Sequence, residues 1–152
     1  VVNTVHSYLL FSVHFSLMVT IGLIDIIDII SLDKESIEKD NSFPTSYAIY
    51  FDLSKQPDPN WKKMFDKAWK DESFNLKRKI TVSGKRLRMV FMEDDNIQEQ
   101  VNFVKRLVSK TNDYAKEYNE KIRQKEERLQ QINQEVEIKK AKLKAKLKNV
   151  EL

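Results

Sequence analysis

Cysteine is absent from this chain of 152 residues, which removes disulfides, thiolate metal sites and cysteine nucleophiles from consideration. Glycine occurs twice and proline three times, too rarely for a linker-rich or low-complexity chain. The loops that carry familiar chemistry are missing too: there is no GxxxxGK followed by Ser or Thr, and no GxGxxG, HExxH, GxSxG or EF-hand loop. Readings as a phosphate-cradling, zinc-peptidase, serine-hydrolase or calcium-loop protein have no support. Histidine stands only at His6 and His14. In one strand these two share a face and could join Asp25 or Asp28 around a metal ion, but no third ligand has a compelling position. Strand histidines, and acidic side chains that guard an apolar edge against aggregation, account for all four. No catalytic residue, metal, other cofactor or small-molecule substrate is expected, and a chain without cysteine fits a reducing, cytoplasmic setting.

What the chain does have is charge, unevenly placed. A third of the residues are charged and the formal net charge is +4. Residues 1–58 carry eight acidic and three basic side chains, against fifteen and twenty-four in residues 59–152. Such a split accommodates a polyanionic partner, although lysine-rich helices are also well solvated for no further reason.

From Tyr8 to Ile24 there is no formally charged side chain except the titratable His14, so a leader or a membrane span has to be weighed. The run is short for a span, and it lacks the preceding Lys or Arg and the small-residue cleavage site of a secretory signal. Phe11, Val13, Phe15, Leu17 and Val19 alternate with Ser12, His14, Ser16, Met18 and Thr20, the period of a half-buried strand. A membrane association through this apolar stretch is an alternative to the strand. Leu23 to Leu32 follows as an isoleucine-rich second strand, completing a pair over residues 1–32. Residues 33–45 are polar, end in Asn41-Ser42-Phe43-Pro44, and read as a connection.

Residues 46–95 read as a β-α-β-β unit. Tyr47, Ile49, Phe51 and Leu53 alternate with Ala48, Tyr50 and Asp52 as a strand does. Asp58 then offers an N-cap carboxylate and Pro59 a first helical position, and Trp61, Met64, Phe65, Ala68 and Trp69 form one apolar stripe. Two tryptophans on a helix can make an aromatic ligand platform, but packing onto a sheet is the expected use. Lys77 to Met92 forms a hairpin turning at Ser83-Gly84. Its polar face supplies Lys79, Lys85, Arg86 and Arg88, a candidate nucleic-acid surface without the aromatic motifs of an RNA-binding sheet.

Residues 96–152 read as one long helix, with Asp95 and Gln98 as a capping box. With position a at Val101, every seventh residue is apolar: Val101, Val108, Ala115, Ile122, Leu129, Val136, Leu143 and Val150. Position d holds Ile97, Val104, Thr111, Tyr118, Lys125, Ile132, Lys139 and Lys146, a coiled-coil seam that frays beyond Val136. The fold class is therefore α+β: a small antiparallel sheet in a head of residues 1–95, covered by a short amphipathic helix and the start of the long one. The function expected is interaction or assembly, through a homo-oligomeric or hetero-partner coiled coil using Tyr118, Ile122, Leu129, Ile132, Val136 and Leu143. Lysine at d disfavours a long parallel dimer. Nucleic-acid binding through the basic hairpin and the lysines from Lys139 to Lys148 is the alternative.

Overall fold

A computed structural model describes residues 22–73 and 77–150 of the chain. The strand expected over residues 8–20, with His6 and His14, lies outside them. Among the described residues six elements follow in order: β1 (Ile29–Lys39), β2 (Ser46–Leu53), α1 (Pro59–Asp71), β3 (Ile80–Ser83), β4 (Arg86–Met92) and α2 (Ile97–Leu147). The strands form one antiparallel sheet in the order β1-β2-β4-β3, and the fold is α+β.

The connection expected over 33–45 is corrected by β1, which continues to Lys39 along the edge of the sheet. The strand also begins later than its isoleucines implied, since Leu23 to Asp28 lie outside any strand. An edge strand faces a neighbour on one side only, so charges are tolerated where a central strand would exclude them. The pairing with β2 shifts register between Asp33 and Glu38, where the Asp33 carboxylate accepts the N–H groups of Glu35 at 3.1 Å and Ser36 at 3.0 Å.

Pairing in register gives the sheet two unlike faces. Tyr47, Ile49, Phe51 and Leu53 stand beside Phe91, Met89 and Leu87, and Ile80 and Val82 continue that face into β3. The two helices cover it. Trp61, Phe65 and Ala68 are buried from α1, and Val101, Phe103, Val104, Leu107, Val108 and Ala115 from α2. Trp61 and Phe65 stack with ring centroids 5.4 Å apart, so these members of the stripe are core, while Trp69 is half-buried with the Lys77 ammonium over its ring.

Local chemistry sets the boundaries of the elements. Asp58 Oδ1 caps α1 by accepting from Asn60 N at 2.7 Å and Trp61 N at 3.0 Å, with Pro59 at the first turn. The β3–β4 hairpin turns through Gly84 at φ 57°, a conformation that a side chain would strain. For α2 the expected cap at Asp95 is corrected to Asn96, whose Oδ1 accepts the Glu99 N–H at 3.2 Å. Asp95 is engaged elsewhere: it accepts the Met92 N–H at 2.9 Å and pairs with Arg78.

Two compact units divide the chain within α2. One consists of residues 24–117, and the other includes Tyr118 and the residues that follow it. The first turns of α2 thus belong to the unit around the sheet, because their apolar side chains complete its core.

Candidate interaction surface on the distal part of helix α2

Helix α2 changes character along its length. Up to Ala115 its buried side chains fall at Gln100, Val101, Phe103, Val104, Leu107, Val108, Thr111, Asn112 and Ala115. That is a wide stripe, taking in positions beyond a and d, and wide stripes are what a helix turns toward a globular core. The first three a positions are therefore internal packing. From Tyr118 to Glu137 the large apolar side chains are confined to a and d: Tyr118, Ile122, Leu129, Ile132 and Val136. The apolar stripe here is narrower than the one α2 carries up to Ala115.

Tyr118 and Ile122 are half-buried, and Gly22 sits close to Ile122, within 4.0 Å of its Cγ2 for an ideal Cβ built on the glycine. Farther along, Leu129 is 49% exposed, Ile132 47%, Val136 41% and Leu143 60%. Arg128 and Glu135 flank this row and are exposed. After Glu137 the helix holds Lys139, Lys140, Lys142, Lys144 and Lys146 with no further acidic residue before its end at Leu147.

The polar face of the sheet carries the residues of the nucleic-acid alternative and reveals their partners. Arg86 Nε meets Asp52 Oδ1 at 2.7 Å, its Nη2 meets Asp33 Oδ2 at 2.5 Å, and its guanidinium lies over the Tyr50 ring. Ser31 Oγ donates to Asp52 at 2.5 Å and Tyr50 Oη to Glu38 at 2.5 Å. Arg88 Nη2 reaches Asp40 Oδ2 at 2.7 Å. The network ties edge strand β1 to β2 and β4. Its hydrogen bonds hold the carboxyls of Asp33, Asp40 and Asp52 below the usual carboxylate range: Arg86 is the largest influence on Asp33, Ser42 on Asp40 and Ser31 on Asp52. With both arginines matched to carboxylates, Lys79 and Lys85 remain as exposed cations of the hairpin.

Asn112 was not singled out by its sequence context. Its Oδ1 accepts the N–H of Ile27 at 3.1 Å and the indole N–H of Trp61 at 3.2 Å, and its Nδ2 donates to Ile27 O at 2.8 Å. It lines an open cleft of about 330 Å³ with Asp28, Lys105, Ser109 and Lys116 among others. Every hydrogen-bonding atom of its amide is already engaged with the protein, so its role is to fasten the segment before β1 to both helices. Asp25, weighed above as a metal ligand, is paired with Lys55 at 2.9 Å. Among the described residues no group of three His, Asp or Glu side chains is placed to hold a metal ion, and no helix is long and apolar enough to cross a membrane.

Compared with protein-family models, with curated proteins and with solved structures, the chain matches none.

Proposed function

We propose that this is a non-enzymatic interaction or assembly protein, in which the distal part of α2 docks a helix of a second chain. The observation that carries the reading is the exposed row of Leu129, Ile132, Val136 and Leu143 on an unbroken helix. Burying such side chains against another helix removes apolar area from water, at roughly 25 cal/mol for each Å². From Tyr118 to Glu137 the apolar side chains keep to a and d, which distinguishes them from surface apolar residues scattered singly, such as Ile138 at position c. Sedimentation of the full chain across a concentration series tests the reading, with Leu129→Asp/Val136→Asp as the control. Association by the parent chain, lost in the double variant while its melting temperature holds, is the expected result. A parent chain that stays monomeric and captures no helical partner overturns it.

A further inference from the structure

We infer that the occupant of the distal seam is a second copy of this chain lying antiparallel, with Leu129 against Ile132 of the second copy and Val136 against its Lys125. This rests on the association proposed above and specifies its partner and its orientation. The charges along the seam decide between the two orientations. In a parallel pair each a or d side chain meets its own counterpart, so Lys125, Lys139 and Lys146 would form three layers of like charge. Along the flanks Lys121 would find Glu126 and Glu135 would find Lys140, while Arg128 would face Asn133, so it is the three lysine layers inside the seam that count against this orientation.

Reversing one helix pairs each a with a d. Lys125 then lies against Val136, where its aliphatic stem covers the valine and its ammonium group stays in water. Lys139 lies against Ile122, and Leu143 against Tyr118. Position g faces g across such a seam, so Arg128 meets Glu135 of the second copy, and the twofold axis makes that ion pair twice. Both side chains are exposed and available for it. The like-charge contact between Lys121 and Lys142 of the second copy is likewise made twice, near the ends of the overlap. The overlap runs from Tyr118 to Leu143, starting where α2 leaves the unit of residues 24–117, and so uses the seam that the sheet does not.

Because the protein has no cysteine, an introduced one reports a single position. Full-length Leu129→Cys and Ile132→Cys chains would be oxidised mildly, separately and as an equimolar mixture, alongside sedimentation of each. Both positions are exposed, so neither variant disturbs the core. The mixture should give a cross-linked heterodimer in several-fold higher yield than either chain gives alone. Predominant cross-linking of each variant to itself overturns the antiparallel arrangement while leaving association intact. Absence of any dimer in sedimentation overturns both. A charge exchange supplies an independent reading: Arg128→Glu should weaken the dimer about tenfold by turning two attractive flank pairs repulsive, and adding Glu135→Arg should restore it. An Arg128→Glu variant with unchanged association refutes the assigned register.

Discussion

Replacing Asn112 by alanine should destabilise the unit of residues 24–117 severely, although this residue touches no proposed partner. The side chain is 5% exposed and satisfies three polar groups on residues that are themselves fully buried, the N–H and C=O of Ile27 and the indole N–H of Trp61. Leaving a buried polar group unpaired costs about 1 to 3 kcal/mol. The cleft beside Asn112 gives water a path to the Ile27 backbone, which argues for the lower part of that range and a total of roughly 3 to 5 kcal/mol. That is a large share of the ~5 to 15 kcal/mol that holds a typical domain together. Urea unfolding followed by tryptophan fluorescence reads the loss directly, because Trp61 and Trp69 both lie in this unit.

The isosteric Asn112→Asp variant then tests the mechanism. It keeps acceptors for both N–H donors but sets a carboxylate against the Ile27 carbonyl and the Asp28 side chain. Burial and that negative neighbour raise the new carboxyl's pKa in the folded state, so folding favours its protonated form. Its deficit relative to the parent protein should shrink as pH falls toward about 4, where the protonated oxygen can donate to Ile27. A loss below about 1 kcal/mol for the alanine variant, well under the cost of even two orphaned groups, would refute the reasoning. So would an aspartate variant whose deficit is the same at every pH.

Phe65, buried and stacked on Trp61, should cost about 3 to 5 kcal/mol on truncation to alanine, visible as a much lower melting temperature; an unchanged one would return the α1 stripe to the functional candidates. For the polar face, the depressed folded-state pKa values of Asp33 and Asp52 mean stability that is present above their ordinary unfolded values near pH 4 and lost as pH falls through the lower folded ones. Arg86→Met should therefore be less stable than the parent at pH 7, and the gap in melting temperature should narrow in acid; a gap independent of pH contradicts the network's role. Since Arg86 and Arg88 are matched by carboxylates, Lys79→Glu/Lys85→Glu is the cleaner probe of the basic hairpin. Retention on DNA and RNA at low salt should be the same for that variant as for the parent chain, whereas a salt-sensitive loss would support the hairpin as a nucleic-acid surface.

Where neighbouring residues alone settle a conformation, the sequence was sufficient. Asp58-Pro59 with the Trp61 stripe announces α1, Ser83-Gly84 between alternating runs announces the hairpin, and the alternation of Tyr47 to Leu53 announces β2, since capping, turn geometry and a buried face act within a few residues. Edge strand β1 was less legible because what holds it is remote: Asp33 and Asp52 close on Arg86, and Asp40 on Arg88, only after three strands have paired. The cap of α2 moved from Asp95 to Asn96 for the same reason, as Arg78, distant in sequence, claims the aspartate. Asn112 reads as an ordinary polar residue on a long helix until Ile27 and Trp61 are brought to it. The heptad pattern itself was visible from the start, as was the exposed seam's membership: Leu129, Ile132, Val136 and Leu143. Only the tertiary structure separated that seam from Val101, Val108 and Ala115, which obey the same period. A repeat of seven specifies which side chains share a helix face, but whether that face meets the chain's own sheet or water depends on what else the fold places beside it.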